Sequence, residues 1–380
     1  MLSIQFIEQI RIDKSNALFD IYEKIRKSER LSFSDGLRLY ETSDVLSLAL
    51  LAETAKITRL KNKDREVEKD YVYWINNHHI NLTNICEGSC KFCAFRKKAG
   101  ENGSYMMLLE EAEEYIKNQI SKKVSELHIV SGLNPKLDID YYKQLFKICK
   151  KLLPQAHIQA LTAVEADYLA KNSGLSIRET LQELIKAGLD SMPGGGAEIF
   201  SANIRQKVCP EKISGEMWLE IMETAHSLGI KSNATMLTGI GESVDDKIKH
   251  LLKLRELQDK TQGFMSFIPL FCHYENTSIK PEYETTGIDT VREYALARLM
   301  LDNFWHIKAF RIQTGTNMAQ LSLFFGSDDL DGTVITEKIT RSAGAKTEGE
   351  ITSEELSALI KNAGKIPVQR DTLYNVIEVY

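Results

Sequence analysis

The chain has 380 residues, 43% hydrophobic and 27% charged, with only 7 Pro, an ordinary globular composition whose core needs no disulfide staples. Its net charge of −5 arises from 48 basic and 53 acidic residues mixed along the chain, so no basic block marks a nucleic-acid footprint and no basic amphipathic arm marks a membrane surface. No apolar run approaches the ~18 residues of a membrane span, and Glu8, Arg11 and Asp13 interrupt the N-terminal apolar stretch, unlike a secretory signal.

A first helix is expected near residues 4–28. Ser34 and Asp35 open a short second helix. Ser43 and Asp44 start a third, carrying Val45, Leu46, Leu48, Leu50 and Leu51. From about residue 75 strand-like runs alternate with helices. The strands are expected at 76–83, 126–132, 157–163, 190–193, 232–239, 264–271 and 307–314, with a weak one near 331–335. The helices between them carry their own punctuation. Asp138 or Asp140 caps one that runs through Leu153 to Pro154. Ser176 and Glu179 form a capping box on a helix ending at Gly188, and Ser214 starts the next, which stops at Gly229. Ser243 and Asp246 begin a long helix fading before Gly263, and Thr352 with Glu355 opens a last one closed by Gly364.

Strand–helix alternation implies a parallel sheet, and this many units imply an α/β fold of TIM-type (β/α) barrel form, complete or nearly so. We expect an N-terminal helical extension over 1–70, the barrel core over 71–340 and a C-terminal helical extension over 341–380 that packs on the barrel. Active sites of such barrels lie at the C-terminal ends of the strands. Unusual clusters fall at those ends: Cys86 to Cys93 after the first strand, 131–135 after the second, 162–165 after the third. PGGGAE at 193–198, GIGE at 239–242, and Cys272 with His273 follow the next three.

Six cysteines are present, of which Cys149, Cys209 and Cys272 stand alone. A secreted disulfide framework would be denser, so the usage fits a cytoplasmic protein. Cys86, Cys90 and Cys93 have the spacing C-x3-C-x2-C. A 4Fe–4S cubane normally takes four thiolates; three leave one iron open to chelate the amino and carboxylate groups of S-adenosylmethionine (SAM). Phe92, with Ala94 and Phe95, would keep such a cluster dry and tune its potential. A structural zinc site would need a fourth ligand, for which His78 and His79 are candidates inside the preceding strand. A redox dithiol would use Cys90 and Cys93 and leave Cys86 unexplained.

The cysteine spacing and the strand-end clusters resemble the radical SAM superfamily. HINLTNIC at 79–86 through Phe95 is similar to its menaquinone and deazaflavin branch. TAVE at 162–165, LDSMPGGGAEIF at 189–200, NATM at 233–236, DNF at 302–304 with HIKA at 306–309, DLDGT at 329–333 and RDTLY at 370–374 resemble the aminofutalosine synthases within that branch. The likeness runs from about residue 31 to the C-terminus; Ile240 and Gly241 match more loosely. It implies addition of a 5′-deoxyadenosyl radical from SAM to 3-[(1-carboxyvinyl)oxy]benzoate, giving 6-amino-6-deoxyfutalosine, methionine and bicarbonate. It also implies a 4Fe–4S cluster, and a low-potential donor of flavodoxin or ferredoxin type. Sister activities are cyclic dehypoxanthinyl futalosine synthase and deazaflavin (FO) synthase.

The resemblance also suggests residue roles, each with a plainer alternative. Ser131 and Gly132 would offer backbone groups to the methionyl amine of SAM, or form a tight turn. Glu165 would bond the amine or ribose, or be a surface glutamate. Gly194, Gly195 and Gly196 would let backbone approach a ligand, with Glu198 as a polar contact. Arg205 would pair with a carboxylate of SAM or substrate, or be a solvated helix arginine. Gly239 would lie along the adenine, or serve the βα turn. His273 would bind a substrate carboxylate or shuttle a proton, or be a core histidine. Asn84, Arg311, Gln313 and Asn317 are weaker polar candidates; Met106, Met107 and Met300 are read as core.

Overall fold

The computed structural model describes residues 12–281, 284–346 and 350–380. The part of the expected first helix before residue 12 lies outside them; Phe19–Arg26 is helical. Helix Phe33–Glu41 is capped by Ser32, with Asp35 closing a capping box, two residues earlier than expected. Asp44 caps helix Val45–Lys61, which packs on helix Gly287–Met300 of the main body.

Seven parallel strands form one curled sheet: β2 (Asn77–Ile80), β3 (Glu126–Ile129), β4 (His157–Ala160), β5 (Ser191–Met192), β6 (Lys231–Thr238), β7 (Phe264–Phe271) and β8 (His306–Ile307), in chain order. Their connecting helices carry the caps read from the sequence. Asp138 bonds Tyr141 N–H. The boxes at Ser176/Glu179, Ser243/Asp246 and Thr352/Glu355 are all formed, and Gly188 adopts the left-handed conformation that ends its helix.

Closure comes from the segment after residue 328. Asp329 bridges to Lys308 just beyond β8, and Ile335 bridges to His78 on β2. Ala309 N–H bonds the Asp329 carbonyl at 2.7 Å and His79 N–H the Ile335 carbonyl at 3.0 Å. The TIM-type barrel is therefore completed by single bridges rather than by a regular eighth strand.

Three expectations change. Residues 307–314 do not form one strand: β8 stops at Ile307, and the Phe310 carbonyl accepts from Gln313 and Thr314 as helix Arg311–Thr314 begins. β4 ends at Ala160, because Leu161 takes φ +63° and Thr162 caps the next helix. The C-terminal extension is not purely helical. β10 (Ile366–Arg370) pairs in parallel with β1 (Tyr71–Ile75), which also pairs with β9 (Asp329–Gly332), and β11 (Val376–Val379) completes that four-stranded sheet in antiparallel fashion. Trp74, Ile75 and Val368 are buried there. Met300 is in the core, and Met106 and Met107 pack against it. Among the described residues no helix is long and apolar enough to cross a membrane.

Candidate active site

The strand ends open into a cavity of about 350 Å³. Cys86, Cys90 and Cys93 all line it, as do Phe92, Ser131, Gly132, Glu165, Gly195, Gly196, Glu198 and His273.

The cysteine loop rests on the turn after β3. Glu87 N–H donates to the Leu133 carbonyl at 2.9 Å, and Leu133 N–H points back to Cys86 Sγ at 3.3 Å. A Cβ on Gly132 would stand 2.3 Å from the Ile85 carbonyl oxygen, so only glycine lets the two segments meet. Asn84 fastens the return of the loop, donating to the Gly103 carbonyl and accepting from Tyr105 N–H. A Cβ at Gly88 would sit 3.5 Å from Cys86 Sγ and 4.0 Å from Cys90 Sγ, so the loop leaves its thiols uncovered by its own side chains. Among the described residues no three His, Cys, Asp or Glu side chains converge on a single-ion site. Three thiolates are a donor set that fits a 4Fe–4S cluster with one iron left open.

Glu165 is buried at the start of helix Ala163–Ser173, where it completes a capping box with Thr162. One carboxylate oxygen accepts from Ser131 N–H at 2.8 Å, the other from Thr162 N–H at 2.7 Å. Burial pushes its carboxyl up to about 7, against the lowering effect of the Thr162 and Ser131 donors. Glu198, left-handed at φ +48°, pairs with Lys212 at 2.5 Å. The Lys212 ammonium stands 5.2 Å over the Phe92 ring. Burial works against that charge, but Cys90 and Glu198 hold it above the usual lysine range. His273 Nε2 faces the Gln313 carbonyl at 2.9 Å. Because a carbonyl only accepts, Nε2 is the donor there and Nδ1 is the nitrogen left for another partner.

Three expected contact residues, Arg205, Gly194 and Gly239, do not line the cavity. Arg205 is buried and its guanidinium is taken up by backbone carbonyls, Nη1 on Ala197 at 2.6 Å and Nε on Ile213 at 3.0 Å. It clamps the 196–199 turn from behind instead of meeting a carboxylate. Gly194 is off the cavity wall; with φ +80°, its Cβ would lie 2.1 Å from the Asn233 carbonyl oxygen. Gly239 likewise lies beneath Tyr274, whose hydroxyl would be 2.4 Å from a Cβ there. Of the weaker candidates, Gln313 lines the cavity and Arg311 and Asn317 do not.

Several lining residues escaped the sequence reading because they sit on the strands rather than beyond them. His79 on β2, His128 on β3 and Gln159 on β4 are register partners facing inward. Asn233, Lys308 and Asp331 line the same cavity. Burial lowers the titration of both His79 and His128, so their rings are neutral near pH 7. The available signal was a polar side chain at alternate positions of otherwise apolar strands.

Residues 80–254 match the radical SAM superfamily, and residues 261–380 match the CofH/MqnC C-terminal region. The chain is 41% identical over 368 residues to the aminodeoxyfutalosine synthase of Thermus thermophilus, covering 96% of each. It is 38% identical to that of Streptomyces coelicolor, covering 95% of this chain and 94% of the relative. The cyclic dehypoxanthine futalosine synthase of Streptomyces coelicolor is 34% identical over 95% of this chain and 89% of its own. The fold is shared with methylornithine synthase (TM-score 0.71, 16% identity, covering 91% of this chain and 97% of that one). Radical SAM membership implies a 4Fe–4S cluster and SAM. The chain belongs to the radical SAM superfamily and is a radical SAM enzyme of the group that includes the aminodeoxyfutalosine synthases.

Proposed function

We propose that this enzyme adds the 5′-deoxyadenosyl group of SAM to 3-[(1-carboxyvinyl)oxy]benzoate, yielding 6-amino-6-deoxyfutalosine, methionine and bicarbonate, a cytoplasmic step of menaquinone biosynthesis. The observation that carries the reading is a cavity lined both by the three thiols and by a separate polar wall on the strands. Similarity to two aminodeoxyfutalosine synthases across nearly the whole chain supports the choice of second molecule. Cys86, Cys90 and Cys93 would hold the 4Fe–4S cluster, which would pass an electron from a ferredoxin- or flavodoxin-type donor to SAM and so give the 5′-deoxyadenosyl radical.

The chain's own residues position and shield. The turn at Ser131 and Gly132, held by Glu165, presents backbone to the methionyl end of SAM. Gly195 and Gly196 line the wall without side chains, so backbone approaches the ligand there, and Glu198 is a polar contact anchored by Lys212. Phe92 and Phe95 limit water at the cysteines. His273, with Nε2 held by the Gln313 carbonyl, offers Nδ1 to bind a substrate carboxylate or shuttle a proton.

Anaerobically reconstituted protein, given SAM, a reductant and the enol-ether benzoate, should release methionine and a product that retains adenosine. Release of 5′-deoxyadenosine with turnover of dehypoxanthine futalosine would assign the sister activity instead. Turnover of neither substrate would remove both readings.

A further inference from the structure

The strand wall of the cavity contains a charged pair that the roles above do not use. Lys308, just past β8, and Asp331, on the closing segment, are both buried and meet at 3.0 Å. Among the described residues Asp331 is the only hydrogen-bond partner of the Lys308 ammonium, which has three N–H bonds to give. Asp331 is itself held rigidly. It takes φ +62°, and its N–H donates to Asp329 Oδ1 at 2.6 Å. Burial acts to raise the Asp331 carboxyl, but Lys308 beside it outweighs that and keeps it well below the carboxylate range. Asp331 therefore stays ionised, and Lys308 has N–H donors to spare.

Flat surfaces adjoin it. The rings of His79 and His128 stack with centroids 4.4 Å apart and planes 11° apart. Phe310 lies 6.3 Å from His79 with its ring 3° from parallel. His79 is 6% exposed, and its Nε2 has no partner among the described residues. A buried polar atom left unpaired is destabilising, and a bound ligand relieves it.

We propose that Lys308, His79 and His128 form the subsite for the carboxylated aromatic ring of the second substrate. Lys308 takes the carboxylate on the N–H bonds that Asp331 leaves over, His79 Nε2 supplies a further hydrogen bond, and the ring packs beside the His79–His128 stack and Phe310. Asp331 is a positioning residue that aims the ammonium. The identity of that substrate rests on the proposed radical addition; the recognition of an aryl carboxylate rests on these side chains alone.

Two measurements separate the two claims. In steady-state assays, Lys308→Met and the paired change Lys308→Met with Asp331→Leu should raise KM for the enol-ether benzoate by ~10-fold or more. The KM for SAM should move by less than about twofold. The double variant removes the lone buried carboxylate and keeps the test valid if Lys308→Met alone does not fold. His79→Phe keeps the stack, removes Nε2, and should raise the same KM by about 5-fold. In equilibrium binding to reconstituted wild-type protein, 3-methoxybenzoate should bind at least ~10-fold tighter than 3-methoxybenzamide, and the Lys308 variants should erase that difference. An unchanged aryl KM, or a rise in the KM for SAM in its place, overturns the subsite while leaving the reaction intact. If wild type does not turn over the enol ether, the reaction falls and the methoxybenzoate comparison decides the subsite: equal binding of acid and amide overturns it.

Discussion

Glu165 joins two strand ends through one carboxylate, and the same burial that makes those bonds count also gives it an unusual titration. Its pKa rises from 4.5 to about 7. A carboxyl that binds its proton more tightly when folded adds stability in full below its unfolded pKa and loses it as pH climbs through the folded one. The displacement corresponds to roughly 3 kcal/mol lost between about pH 4.5 and 7. Glu165→Gln should therefore lower Tm, because its amide has one accepting oxygen for the Ser131 and Thr162 N–H groups, and should also flatten the decline of Tm over that pH window. An unaltered slope would show that another group sets it. Arg205 calls for a different experiment. Its bonds run to backbone carbonyls of the turn beside the cavity, so Arg205→Lys, which lacks the planar fork, should destabilise by about 2 kcal/mol in denaturant unfolding. If Arg205 instead met a ligand carboxylate, a KM would move and the unfolding midpoint would not.

The cysteine loop and the β3 turn behave as one unit, since Glu87, Leu133, Cys86 and Gly132 interlock over a few ångströms. Gly132→Ala places a methyl 2.3 Å from the Ile85 carbonyl, and backbone there must shift. Iron and sulfide content after reconstitution should fall well below wild type while far-ultraviolet circular dichroism stays native; full cluster loading would refute the coupling. This unit was largely legible in sequence, because thiol spacing and a following glycine are local signals. So were the capped helices, three of them announced by a Ser or Thr and an acidic residue three positions on. The same rule applied to Thr162 and Glu165 marks a helix start, which places the end of β4 earlier than the apolar run suggested. What stayed hidden was non-local. The run YVYWI at Tyr71–Ile75 gains its identity as a strand only from β10, close to the far end of the chain. His79, His128 and Gln159 become a surface only when three strands come into register.

At the scale of the molecule, the C-terminal segment reaches the cavity through a chain of charges. Arg370 on β10 donates from Nε to Asp329 Oδ2 at 2.7 Å, with both residues fully buried. Asp329 Oδ1 accepts the Asp331 N–H, and Asp331 holds Lys308. The strand that completes the outer sheet thus fixes the segment that closes the barrel, which in turn aims the ammonium into the cavity. Removing Arg370 leaves Asp329 buried without its counter-charge, an arrangement that costs about 3–5 kcal/mol. Arg370→Met should lower the denaturant midpoint accordingly and, through the slackened Asp331, raise KM for the aromatic substrate more than KM for SAM. The paired change Arg370→Met with Asp329→Leu removes both charges and should recover most of the stability. Because it also deletes the acceptor of Asp331 N–H, it should not recover the KM. Recovery of both together would mean that the outer sheet supports the barrel only as packing, and that Lys308 is aimed without it.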